Sequence, residues 1–280
     1  MTTHCAVLGS PIAHSLSPVL HRAAYAELGL DWEYDACEVR EADLPGFLDG
    51  LDSSWRGLSL TMPLKRAVVP LLDELSARAG QAGAANTVVL RGGRRVGHNT
   101  DVPGVAAALR ERYDGPLRSA VVLGGGATAA SVLLALGDLG CPRADLVVRD
   151  PGRAGETLAA VARHPTPPRV EVRTFAELAA APTAMSDLFD EVDLVASTVP
   201  VTAQTPTVLA ACAAATVVFE VLYDPWPTPL ALAARERDQM LVGGLDLLVH
   251  QAVLQVQLMT GSLPSLDVLR AAGERALLDR

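Results

Sequence analysis

The sequence is poor in the features that would mark a nucleic-acid, membrane or metal partner. Aromatic residues make up only 4% of the chain, so Ala, Leu and Val have to build the core. Positive charge is in deficit, with a net charge of −9. A surface devoted to nucleic acid or to anionic lipid is therefore excluded as the main business of the chain. The cysteines Cys5, Cys37, Cys141 and Cys212 form no C-x-x-C pair, and three of them sit inside apolar runs. Free thiols in a reducing compartment are expected. No spacing among Cys, His and the acids matches a metal-ligand set. The apolar run around 208–218 is too short to span a bilayer and is broken by Thr216. The N-terminus lacks the charged and apolar regions of a signal peptide. These absences point to a cytoplasmic protein with no metal, nucleic acid or membrane partner.

What is present is an alternation of strands and helices, with polar groups at the element ends. The stretch 57–65, Gly-Leu-Ser-Leu-Thr-Met-Pro-Leu-Lys, is the central example. Leu58 and Leu60 alternate with Ser59 and Thr61, as in a half-buried strand. Pro63 stops that strand and suits a first helical turn, which brings in Lys65. Read alone, Lys65 is a solvated helix lysine. Earlier, Ser15-Leu16-Ser17-Pro18 opens a helix, with Ser17 as N-cap and Pro18 at the first helical position. Ser15 has no capping duty. Helices are expected over 41–51 and 73–79. The strand 85–90 turns through Arg91-Gly92-Gly93-Arg94 into 95–98, a hairpin signal. Asn86 sits at its start, and Asn99 and Asp101 follow it into a helix. This set of hydroxyls, amides, one cation and one anion suits a small polyhydroxylated ligand. Lys65 beside a carboxylate can give or take a proton.

The pattern changes at 119. An apolar strand, 119–123, runs into Gly124-Gly125-Gly126-Ala127-Thr128-Ala129 and a long apolar helix. This G-x-G-x-x-A turn places Gly124 at the tight bend, Gly126 against a pyrophosphate and Ala129 at the helix–strand contact. The next strand ends at Val148-Arg149-Asp150, with Arg153 beyond. Guanidinium groups there favour a 2′-phosphate, hence NADP, while Asp150 pulls toward NAD. Further strand–helix units imply a parallel sheet. The fold class expected is α/β with two domains. A substrate domain covers 1–103 and is completed by 245–280. A Rossmann-type doubly wound parallel sheet covers 104–244.

With these residues in view, the chain resembles the shikimate dehydrogenase family. Pro11-Ile12-Ala13-His14-Ser15-Leu16-Ser17-Pro18, the 57–65 stretch, 83–88, 97–101 and Gly244–Gln251 carry the resemblance, supported by the glycine loop and Tyr223-Asp224-Pro225. It implies NADPH-dependent, reversible reduction of 3-dehydroshikimate to shikimate, in chorismate and aromatic amino-acid biosynthesis. It implies Lys65 and Asp101 as the catalytic pair. Ser15, Ser17, Thr61, Asn86, Tyr223 and Gln251 would hold the substrate. Gly124, Gly125, Gly126, Ala127, Arg149, Arg153 and Gly244 would hold NADP, with NAD as the alternative. A monomer or homodimer is expected. Ser59 stands where the family commonly has Asn, and Val148 and Asp150 depart beside Arg149. Quinate or aminoshikimate dehydrogenases share most of this framework, and a non-catalytic NADP-binding sensor is the reading from another class.

Overall fold

The structure is a computed structural model that describes residues 2–180 and 192–280. Contacts divide the chain into two units, Met1–Gly104 with Leu248–Arg280, and Val105–Leu247. In chain order the first part contains β1 (Thr3–Gly9), α1 (Ser17–Glu27), β2 (Trp32–Glu38), α2 (Leu44–Asp49), β3 (Trp55–Leu60), α3 (Leu64–Ala67), β4 (Glu74–Leu75), α4 (Ala77–Ala82), β5 (Thr87–Arg91), β6 (Arg94–His98) and α5 (Asp101–Arg112). There follow β7 (Ser119–Leu123), α6 (Ala127–Asp138), β8 (Arg143–Val148), α7 (Gly155–Ala162), β9 (Arg169–Thr174), α8 (Phe175–Ala180), β10 (Leu194–Ser197), α9 (Pro206–Ala211), β11 (Val217–Glu220), α10 (Pro229–Glu236) and β12 (Met240–Val242). The chain closes with α11 (Gly244–Thr260) and α12 (Leu266–Leu278). Among the described residues no helix is long and apolar enough to cross a membrane.

The first unit is built on a mixed sheet in the order β2-β1-β3-β5-β6-β4. The strands β2, β1 and β3 run parallel, β5 runs antiparallel to both β3 and β6, and β4 pairs parallel with β6. Gly92 and Gly93 both take positive φ, which a two-residue hairpin turn between β5 and β6 requires. Leu8, Leu44, Leu58 and Val88 form part of the apolar core. One expectation for β3 is corrected. The strand is buried on both faces, with Ser59 only 3% exposed, because α11 supplies Gln255 and Met259 to it.

Three element boundaries also differ from expectation. Ser17 is not an N-cap. Helix α1 begins at Ser17 with Leu16 before it, and no side chain caps it. The Ser15 hydroxyl instead accepts the Ser17 N–H at 3.3 Å, which leaves the Ser17 hydroxyl free of capping duty. The stretch 73–79 is not one helix. Glu74–Leu75 pairs with β6, and Ser76 then caps α4 by accepting the Ala79 N–H. The stretch 41–51 begins as a short 3-10 turn and becomes helical only from Leu44.

The second unit is a parallel sheet in the order β12-β11-β10-β7-β8-β9. Read from the other edge, this is the doubly wound order 3-2-1-4-5-6 of a dinucleotide-binding fold. The switch point lies between β7 and β10. In such sheets ligands bind beyond the carboxyl ends of the strands at that point. Val121, Leu123, Val195 and Val218 supply much of the core, as near-continuous apolar strands covered on both faces must.

Candidate active site

Four of the candidate residues in the first unit are joined by hydrogen bonds. Lys65 lies in the first turn of α3, just beyond β3, and Asp101 opens α5, just beyond β6. Their side chains meet: Lys65 Nζ donates to Asp101 Oδ2 at 2.7 Å, with the two side chains 14% and 6% exposed. Removing either partner of such a pair strands a buried charge, at a cost of about 3–5 kcal/mol. Lys65 is the only lysine in the chain. An ammonium carries three donors, so this bond leaves two for a ligand.

The second carboxylate oxygen is also held. Asn86 Nδ2 donates to Asp101 Oδ1 at 2.9 Å and approaches Gln251 Oε1 at 3.3 Å. The amide of Asn86 is oriented by the Thr100 main-chain N–H, which donates to its Oδ1 at 2.8 Å. Gln251 Nε2 donates to the Leu248 carbonyl at 3.1 Å, which turns its Oε1 toward Asn86. Asn86, Asp101 and Gln251 are all buried, so these groups are locked before any ligand arrives.

The remaining substrate candidates are placed separately. Ser15 is half-buried and Ser17 buried at the start of α1, and no hydrogen bond ties them to the Lys65 cluster among the described residues. His21 fixes this turn, donating Nδ1–H to the Ser17 carbonyl at 2.9 Å. Its other ring nitrogen is buried without a hydrogen-bond partner among the described residues, and burial pulls its pKa down to about 4. Thr61 follows β3, its N–H bonded to the Leu8 carbonyl and its methyl filling the space a Cβ on Gly9 would need. Tyr223 belongs to the second unit, half-buried beyond β11.

In the second unit the turn after β7 offers backbone rather than side chains. Gly124 has φ of 107°, and a Cβ there would come within 2.4 Å of Thr198 Oγ1. Gly126 is the N-cap of α6, no side chain caps that helix, and a Cβ at 126 would point into open space. A diphosphate can therefore approach the turn and the first N–H groups from Ala127 onward. Two residues not singled out from sequence brace this loop. Thr157 Oγ1 donates to the Gly125 carbonyl and Thr198 Oγ1 to the Leu123 carbonyl, both at 2.8 Å. Arg149 and Arg153 are exposed, and neither guanidinium makes an ion pair among the described residues. The Asp150 carboxylate accepts the Gly152 N–H at 3.0 Å and so serves its own turn. Gly244 has a packing reason of its own: a Cβ there would lie 2.5 Å from the Leu222 and Val221 backbone.

Residues 7–88 match the family model described as the shikimate dehydrogenase substrate binding domain, and 244–272 match the shikimate 5'-dehydrogenase C-terminal domain. The chain is 37% identical to a shikimate dehydrogenase (NADP(+)) of Symbiobacterium thermophilum, over 97% of this chain and 93% of that protein. It is similar to the crystal structure of Mycobacterium tuberculosis shikimate dehydrogenase, with 35% identity, a TM-score of 0.86, and coverage of 98% and 99%. It is also similar to the shikimate 5-dehydrogenase of Thermus thermophilus solved in complex with NADP(H) and shikimate. There the identity is 30%, the TM-score 0.83, and the coverage 99% and 100%.

Proposed function

Because the chain belongs to the shikimate dehydrogenase family, we propose that it reduces the ketone of 3-dehydroshikimate to the alcohol of shikimate with NADPH, reversibly. It is an oxidoreductase acting on a CH–OH group, with NADP as its cofactor. The observation that best supports a working rather than a vestigial site is the buried Lys65–Asp101 pair at 2.7 Å.

The chemistry requires one positioned acid. When bound, NADPH supplies the hydride. As charge grows on the carbonyl oxygen, the Lys65 ammonium donates a hydrogen bond to it and then a proton. Asp101 holds that ammonium in place and accepts a hydrogen bond from the neighbouring substrate hydroxyl. Asn86 and Gln251 fix the carboxylate and offer further contacts. Ser15, Ser17, Thr61 and Tyr223 bind the carboxylate and remaining hydroxyls of the substrate. On the cofactor side, Gly124, Gly125, Gly126 and Ala127 receive the diphosphate. Arg149 and Arg153 pair with the 2′-phosphate, and Gly244 opens the last long helix close to the 221–222 backbone. The exposed guanidinium groups of Arg149 and Arg153 support NADP over NAD. A cytoplasmic site of action fits the free cysteines Cys5, Cys37, Cys141 and Cys212.

Steady-state rates with shikimate, quinate and aminoshikimate, each with NADP and with NAD, test this reading. Shikimate with NADP should give the highest kcat/KM. A higher value for quinate or aminoshikimate would transfer the assignment to that substrate. Nucleotide binding with no turnover on any of them would leave only a sensor.

A further inference from the structure

Gln255 lies on α11, one turn beyond Gln251, and is 1% exposed. We propose that it is a positioning residue for the Lys65–Asp101 pair, setting the direction of one buried hydrogen-bond relay that ends on the Asp101 carboxylate. The inference rests on the catalytic roles proposed above for that pair.

The direction follows from groups that can only donate or only accept. Gln255 Nε2 lies 3.1 Å from the Asn86 main-chain carbonyl, which can only accept. The same nitrogen donates to Thr87 Oγ1 at 3.0 Å. Gln255 Oε1 therefore faces Ser59, whose hydroxyl donates to it at 2.9 Å. With its hydrogen used there, Ser59 Oγ accepts from the Tyr34 hydroxyl at 2.6 Å. On the other side, Thr87 accepts from Gln255 and so donates its own hydrogen to Asn86 Oδ1, at 3.0 Å. The Thr100 main-chain N–H holds the same Asn86 Oδ1 at 2.8 Å, so Asn86 Nδ2 faces Asp101 Oδ1 at 2.9 Å. Every hydrogen thus points the same way, from Tyr34 through Ser59, Gln255, Thr87 and Asn86 to Asp101. Aligned bonds in a dry interior polarise one another, and the accumulated dipole favours a carboxylate at the end. Gln255 is the one member of this relay that spans from β3 to β5: an amide offers donor and acceptor at opposite corners. Without it, the Ser59 and Thr87 hydroxyls are free to turn, and the Asn86 carbonyl loses its side-chain donor.

The test uses the single lysine. Protein labelled with isotopic lysine gives one side-chain signal, from Lys65. Gln255→Met keeps the volume and removes all three polar bonds. Gln255→Glu keeps the acceptor toward Ser59 and removes both donors. In each, the Lys65 signal should move, and kcat should fall by about tenfold while KM stays within about twofold. A folded variant with an unmoved Lys65 signal and unchanged kcat would overturn the proposal. So would a raised KM with unchanged kcat, because that marks a substrate contact. Should the Met variant not fold, the Glu variant decides by the same readings. If the unaltered protein has no turnover, the reading of function fails, while the Lys65 signal still tests the relay.

Discussion

Beyond β1, β3 and β6 the first unit turns on Ser15, Lys65 and Asp101; beyond β7 the second unit turns on three glycines. The two units present their candidate ligand groups by opposite means. A short polar side chain is useful only if its rotamer is held, so the first unit buries such groups and ties them together. Asn86, Thr100 and Asp101 are each 5% exposed or less, and each has a bonded partner. A backbone N–H needs no rotamer. The second unit instead requires empty space above Gly126 and an unusual φ at Gly124. Substitutions should therefore act differently: in the first unit through chemistry, in the second through the presence of added atoms.

Lys65→Met gives the largest effect. It removes the proposed proton donor and leaves Asp101 buried without its cation. We expect kcat to fall by ~10²–10⁴-fold, as for loss of a general acid, while NADP still binds the second unit. Near-normal turnover would show that side-chain chemistry in the first unit is not where the proton comes from.

The next effect separates the units by pH. In the first, burial holds His21 near 4 against an ordinary value of 6.5, so the fold keeps it neutral. The unfolded chain then binds the extra proton, and this contribution is present above pH 6.5 and lost as pH falls toward 4. In the second, burial raises Glu220 to about 7 from 4.5, against the pull of hydrogen bonds from the Leu222 N–H, Thr228 and Gln204. Here the folded chain keeps the proton, and the contribution is present below pH 4.5 and lost as pH rises through about 7. Each is worth at most ~3 kcal/mol. Amide exchange followed between about pH 5 and pH 6.5 should show protection rising with pH in β1 and β3 and falling in β7 and β10. Parallel trends in both units would remove this distinction. Glu220→Gln should flatten the second trend alone.

How much of this is legible in the sequence follows the same division. The glycine turn can be read because strand, turn and helix are contiguous, and Lys65, Asn86 and Asp101 because each stands at the end of its own element. The bonds among them cannot be. Gln255 and the Asn86 carbonyl it binds are 169 residues apart in sequence. Nothing local marks a glutamine on an apolar helix as a partner of Ser59. Ser17 reads as a cap because Ser before Pro usually caps; in the fold Ser17 instead gives its own N–H to the Ser15 hydroxyl, and the Leu20 N–H goes to the Leu16 carbonyl. Asp150 pulls against the arginines in the sequence, and only the fold shows its Oδ1 accepting the Gly152 N–H.

The smallest expected effect divides the glycine turn itself. At Gly124 an alanine meets a left-handed φ and the Thr198 hydroxyl, which is already bonded to the Leu123 carbonyl. Strain of this kind costs about 1–3 kcal/mol, so Gly124→Ala should lower Tm with or without nucleotide. At Gly126 the same methyl meets no atom of the described residues within 4 Å. Gly126→Ala should therefore melt as the parent does, while the KM for NADP rises about tenfold, the scale of one added carbon in a fitted pocket. KM for the substrate should not change. If Gly126→Ala binds NADP as tightly as the parent, the open space above it is not where the diphosphate lies, and the contrast between a side-chain unit and a backbone unit loses its second half.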